Sequence, residues 1–152
     1  MKYSLLLTLV LCISCTFAYE RLWAKGDILL AEMQNGRDEL HVIVFYDSTN
    51  TADSYSKVKE NQAVTNEVLK YLDTISEEGT DPFPTKVYYA TIDAVDPYNQ
   101  NIMYKAGIDP KELDNGPTIL VTRQGKGFRQ NGPKVVAALR DSVVKLKEVA
   151  TQ

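Results

Sequence analysis

Cysteine is absent from this chain after residue 15. The two cysteines present, Cys12 and Cys15, have the C-x-x-C spacing of thiol redox sites, but they lie in the apolar N-terminal stretch. A thiolate is strongly disfavoured in apolar surroundings, where cysteine is common simply as a small hydrophobic residue. We therefore expect no thiol chemistry from residues 19–152, and an oxidoreductase that uses Cys12 and Cys15 is the least favoured function.

Metal ligands and clustered positive charge are also scarce. His41 is the only histidine, and without cysteine a zinc site would need three carboxylates around it. The formal net charge is −3 and the basic residues are scattered, so nothing favours binding to a polyphosphate backbone. We predict no metal, no cofactor, no catalytic residue and no nucleic-acid partner.

The N-terminus follows the plan of a signal peptide. Lys2 supplies a positive charge, residues 5–11 are apolar apart from one threonine, and Thr16 and Ala18 are small residues before a possible cleavage at Tyr19. Cleavage would place the domain in the secretory pathway, in the lumen of the endoplasmic reticulum or outside the cell.

An uncleaved anchor is the alternative. Counted from residue 3 to residue 19, the segment has about 17 residues, the lower limit for a membrane span. It would hold the domain on the exoplasmic side of a membrane, for example in the mitochondrial intermembrane space. Both alternatives remove the domain from the cytosol.

Alternating β-prone and amphipathic segments predict one α/β domain. Residues 41–46 form a continuous apolar run typical of a strand buried on both faces, and residues 53–77 carry apolar side chains at helical spacing. A strand–helix–strand unit and a hairpin turn at residues 125–127 indicate a mixed sheet of about four strands with helices on both faces. We expect helices over residues 19–35, 53–77, 96–106 and from 132 onward, and strands over residues 39–48, 86–93, 118–123 and 128–130. The proposed division of the chain is a hydrophobic helical segment 1–18, a helix and connection 19–40, and a domain 41–152.

Five short segments support a more specific fold. They are VIVFY at residues 42–46, ATID at 90–93, YKAGI at 104–108, GPTILV at 116–121 and RQGKG at 123–127. In this order the chain resembles the thioredoxin-like superfamily over residues 41–149. The resemblance implies that Pro117 is cis and faces the active-site loop, where it helps to bind extended peptides. A trans proline that opens an edge strand is the alternative.

The departures from that family bear on function. The family's dithiol should fall near residues 50–53, where this chain has no sulfur. The family's buried acidic residue corresponds to Val44, which is apolar. Disulfide exchange needs a thiolate, so the resemblance is to a redox-inactive member that is not an enzyme.

We therefore predict a non-catalytic interaction or structural module with protein partners. It could be an anchored accessory subunit of a membrane protein complex. The alternative is a lumenal peptide-binding protein of the protein disulfide isomerase type, without redox activity. The predicted binding residues are those of the former active-site rim, Asn50, Thr51, Asp53 and Pro117, together with the helix that carries Tyr98 and Tyr104.

Overall fold

The computed structural model describes residues 19–35, 39–49, 54–77, 86–132 and 134–150, without the side chains of 54–56, 75–77 and 147–150. The predicted signal or anchor segment 1–18 lies outside these ranges, as do Asn50, Thr51 and Asp53. Within them, no helix is long and apolar enough to cross a membrane.

Five strands form one mixed sheet in the order β1-β3-β2-β4-β5. Strands β1 and β2 both run parallel to β3, whereas β4 pairs antiparallel with β2 and β5 pairs antiparallel with β4. The strands are β1 Glu20–Arg21, β2 Leu40–Tyr46, β3 Val87–Asp93, β4 Thr118–Arg123 and β5 Lys126–Asn131. The helices are α1 Gly26–Gln34, α2 Ser54–Glu77, α3 Gln100–Ala106 and α4 Val135–Ala150, with 3₁₀ helices at Pro97–Asn99 and Pro110–Asn115.

The central strand β2 explains the two-layered core. Its alternate residues point to opposite faces of the sheet, and both faces are covered by helices. On one face Val42 packs in a cluster with Leu72 of α2 and Leu139 of α4. On the other face Phe45 packs in a cluster that includes Leu29 of α1 and Ile102 of α3, and this two-sided burial confirms the continuous apolar run as a buried strand.

The predicted helix over residues 19–35 is wrong in its first half. Residues 20 and 21 form strand β1 beside Tyr88 and Tyr89 of β3, and the Leu22 amide donates to the Tyr89 carbonyl at 2.8 Å. Gly26 begins α1 with φ at +53°, a left-handed conformation that glycine adopts readily. The sheet therefore has five strands where the sequence predicted about four.

Two smaller boundaries also differ from expectation. The segment before Pro117, predicted as a loop, contains the 3₁₀ helix Pro110–Asn115, whose first turn is capped by the Asp109 carboxylate. Strand β5 begins at Lys126, so the hairpin turn lies at Gln124 and Gly125, both with positive φ.

Candidate functional site

The candidate site lies at one edge of the sheet, where the parallel strands end. Strands β2 and β3 finish there, at Tyr46 and Asp93. The chain that leaves β1 at Arg21 continues toward this edge through residues 22–25. Thr118, the first residue of antiparallel β4, pairs with Phe45 of β2 at the same edge. In open α/β sheets, ligands bind outside the carboxyl ends of the strands. We call this region the strand-end edge; its segments are residues 22–25, 47–49, 93–99 and 116–117.

Hydrogen bonds fix the segment that follows β2. The Asp47 carboxylate accepts from the Thr49 amide at 2.7 Å and from the Thr49 hydroxyl. Partial burial raises the pKa of Asp47, but the bonds from Thr49 outweigh it and hold the pKa below its usual value. Ser48 Oγ donates to Asp93 Oδ2 at 2.6 Å, which ties this segment to the end of β3.

Asn99 joins two other segments of the strand-end edge. Its side chain is buried, its Nδ2 donates to the Asp93 carbonyl at 3.0 Å, and its Oδ1 accepts from the Gly26 amide at 3.1 Å. A Cβ on Gly26 would lie 2.2 Å from the Tyr98 carbonyl oxygen, so only glycine fits there. Residues 22–26 therefore lie directly against residues 93–99.

This packing leaves large apolar side chains facing solvent. Trp23 is 76% exposed and Tyr98 is 82% exposed, and Val95 lies between Asp93 and Tyr98 with half of its surface exposed. The Arg21 guanidinium lies over the Trp23 ring, 4.1 Å from its centroid, a cation–π contact. We call the exposed surface formed by the rings of Trp23 and Tyr98, together with Val95, the aromatic edge.

A small cavity of about 130 Å³ lies behind Trp23. Tyr46, Asp93 and Asn99 contribute to its lining. Burial and the neighbouring Asp93 carboxylate raise the pKa of Tyr46, so its hydroxyl stays protonated at neutral pH. Apolar side chains, including those of Leu22 and Ala24, line the cavity together with these polar groups.

The backbone beside Pro117 is hydrogen-bonded within the fold. Pro117 is buried, and the Gly116 amide donates to the Leu113 carbonyl at 3.3 Å. The Gly116 carbonyl accepts from Asn131 Nδ2 at 2.9 Å. Both backbone groups of the residue before Pro117 are thus used within the fold.

An ion pair holds the 3₁₀ helix before Pro117 against α2. Lys57 Nζ lies 2.8 Å from Asp114 Oδ1, and the Asp114 side chain raises the pKa of Lys57. A Cβ on Gly116 would lie 2.9 Å from Glu60 Oε1, so α2 and this segment are in close contact.

The expectation of a cis bond before Pro117 is wrong, because the described residues contain no cis peptide bond. Gly116 has φ at +112° and ψ at 173°, a backbone conformation that is rare for other residues. This conformation turns the chain into β4 with a trans peptide.

The predicted site residues differ in whether the structure describes them and in how exposed they are. Asn50, Thr51 and Asp53 lie outside the described residues, although they follow Thr49 directly in the chain. Pro117 belongs to the strand-end edge but is buried, whereas Tyr98 and Tyr104 are both about four-fifths exposed. In the described part of the chain, no group of three potential metal ligands is found.

Trp23 is the residue that sequence reasoning missed. The predicted helix over residues 19–35 would include Trp23, whereas the residue lies between β1 and α1. The available signal is Gly26, because glycine favours a helix boundary over a helix interior and here begins α1.

No family model matches the sequence, and no curated protein is significantly similar to it. Solved structures do resemble it. Thioredoxin from Trypanosoma brucei brucei matches with a TM-score of 0.55 at 16% identity, over 92% of this chain and 98% of that one. Spinach chloroplast thioredoxin f matches with a TM-score of 0.54 at 12% identity, over 90% and 89% of the two chains. Thioredoxin O2 from Arabidopsis thaliana matches with a TM-score of 0.54 at 14% identity, over 86% and 96%. At such identities the similarity shows the fold alone: this chain has a thioredoxin-like fold.

Proposed function

We propose that this chain is a non-catalytic, protein-binding module with a thioredoxin-like fold. The strand-end edge is its working surface, with the aromatic edge at the centre of the contact. Asn50, Thr51 and Asp53 come soon after Thr49 in the chain and remain part of the proposal, although they lie outside the described residues.

The distribution of cysteine argues against thiol catalysis. Residues 19–152 contain no cysteine, so this part of the chain supplies no thiolate. The hydroxyl groups at the strand-end edge, such as those of Ser48 and Thr49, are engaged with Asp93 and Asp47. These hydroxyls accept and donate hydrogen bonds, but they do not exchange disulfides.

The hydrogen-bonded backbone of Gly116 favours this function over a peptide-binding role. An extended peptide that pairs with the backbone beside Pro117 needs a free amide and a free carbonyl. The two groups of Gly116 are bonded to Leu113 and Asn131 instead. Binding of unfolded chains by backbone pairing at Gly116 would require these bonds to break.

The observation that carries the proposal is the aromatic edge. Tryptophan, tyrosine and arginine are the residues most enriched among energetically dominant contacts at protein interfaces. Here the only tryptophan of the chain is largely exposed, lies under an arginine, and belongs to a segment packed against the one that bears exposed Tyr98. Such a concentration of aromatic area at the functional end of the sheet supports a protein partner.

The apolar segment 1–18 supports an exoplasmic setting. If it is cleaved, the module acts in the lumen of the secretory pathway or outside the cell. If it is retained, the module is an anchored accessory subunit of a membrane complex, with residues 3–19 in the membrane. N-terminal sequencing of the native protein distinguishes these settings, with a start at Tyr19 for the first and at Met1 or Lys2 for the second.

The test is copurification of the tagged full chain from its native source. We expect partners at fixed stoichiometry, and we expect Trp23→Ala combined with Tyr98→Ala to weaken the association by about 30-fold or more, as for interface hot spots. Val144→Ala is the matched control, because Val144 is a half-exposed apolar residue on α4, away from the strand-end edge. Retention of the partner by the double variant would refute the proposed surface.

A second assay tests the absence of catalysis. The full chain should not accelerate the reduction of insulin disulfides by dithiothreitol. Acceleration that is lost in Cys12→Ser would instead establish an oxidoreductase, and the proposal would fail.

A further inference from the structure

A second concave surface lies away from the strand-end edge. It is a groove of about 360 Å³ between α1, α3 and the β4–β5 hairpin, on the sheet face that carries Phe45. Its apolar lining comes from Leu30 and Met33 of α1, Ile102 of α3 and Leu120 of β4. A concave apolar surface of this size lies within the range of small-ligand sites.

The charged residues that line the groove are both basic. Lys105 and Arg129 both line it, and none of its described lining residues is a carboxylate. Lys105 is exposed at the end of α3, and among the described residues no ion pair engages it. This local charge contrasts with the formal net charge of −3 for the whole chain.

Arg129 is held in place before any ligand arrives. Its Nη1 donates to the Gly107 carbonyl, and its Nη2 lies 3.5 Å from Glu112 Oε1. A guanidinium group has five N–H donors, so these contacts leave donors for a further oxygen. An anchored guanidinium loses little side-chain entropy on binding, which favours recognition of a carboxylate.

We infer that this groove binds a small amphiphilic carboxylate. The apolar tail lies on Leu30, Met33, Ile102 and Leu120, and the carboxylate contacts Lys105 and Arg129. This site is separate from the proposed protein-binding surface, because it is formed by α1, α3 and the hairpin and includes no residue of the aromatic edge.

The test compares two ligands with the same tail and opposite charge. Sodium octanoate and octylammonium chloride are titrated into the ¹⁵N-labelled full chain, and the amide signals of Ile102 and Ala106 are followed. Ligands with about ten non-hydrogen atoms bind with affinities on the order of millimolar. We expect saturable shifts with octanoate and an affinity about threefold to fivefold lower for octylammonium, as for one solvent-exposed ion pair.

Charge reversal supplies the matched control. Lys105→Glu should abolish or invert the preference for octanoate, whereas Lys134→Glu should leave it unchanged, because Lys134 precedes α4 on the opposite face of the sheet. Equal affinities for the two ligands, no saturable shift with octanoate, or an equal loss in both variants would each overturn the inference. The ligand comparison needs no variant, so it decides the matter even if Lys105→Glu fails to fold.

Discussion

Replacement of Gly26 by alanine tests the packing that builds the strand-end edge. A Cβ at this position would lie 2.2 Å from the Tyr98 carbonyl oxygen, far inside any allowed contact, and φ at +53° is left-handed. The left-handed conformation costs a non-glycine residue about 1–2 kcal/mol. Relief of the overlap requires a backbone shift of the kind that costs about 1–3 kcal/mol in overpacked cores.

Gly125→Ala is the matched control for the cost of placing alanine in a left-handed conformation. Gly125 has φ at +73°, and no atom lies within 4 Å of the position its Cβ would take. It should therefore lose about 1–2 kcal/mol of unfolding free energy, and Gly26→Ala about 2–5 kcal/mol. The difference between the two variants isolates the close approach of α1 to the Tyr98 backbone.

Urea unfolding followed by far-ultraviolet circular dichroism measures both variants. The indole N–H of Trp23 adds a local readout, since it is the only tryptophan and gives a single NMR signal. That signal should shift in Gly26→Ala and stay in place in Gly125→Ala. An equal loss of stability in the two variants would refute the argument that the close approach fixes the aromatic edge.

Three further predictions concern the interior. Asn99→Ala should lower the free energy of unfolding by about 1–3 kcal/mol, because the Gly26 amide loses its buried acceptor, and urea unfolding checks this. Leu139→Ala should cost about 2–5 kcal/mol in the same assay, because Leu139 is 1% exposed in a packed cluster. Burial lowers the pKa of His41, and the nearby Glu39 offsets only part of this decrease. At pH values between the folded-state pKa and about 6.5, the unfolded chain therefore binds more protons than the folded chain. Stability should therefore fall as the pH drops through that window, and thermal unfolding of His41→Phe should show a smaller fall.

The central sheet could be predicted because its buried strands appear in the sequence as continuous apolar runs. Strand β2 is covered by helices on both faces, so nearly every position is apolar and the run at residues 41–46 stands out. Strand β1 gives no such signal. Its two residues, Glu20 and Arg21, are exposed and polar, and only their pairing with β3 makes them a strand.

The strand-end edge could be predicted only in part. The family pattern located Pro117, and the abundance of tyrosine suggested a binding surface at Tyr98 and Tyr104, which are both exposed. The position of Trp23 depends on where α1 begins, and that is fixed by the contact between Gly26 and the Tyr98 backbone, 72 residues away in sequence. The bond before Pro117 has the trans form that X–Pro bonds generally prefer, so the family pattern was the misleading signal there.

At the strand-end edge, the polar groups are hydrogen-bonded within the fold, whereas the large apolar side chains are exposed to solvent. The side chains of Asp47, Asp93 and Asn99 are hydrogen-bonded to neighbouring segments. The Gly116 carbonyl, next to Pro117, is also hydrogen-bonded within the fold. A partner at this edge therefore gains little from new backbone pairing. Its binding energy must come from covering aromatic area, chiefly that of Trp23 and Tyr98, which depends on shape and depends little on ionic strength. The groove lined by Lys105 and Arg129 has the opposite character, because its preference for a carboxylate rests on charge.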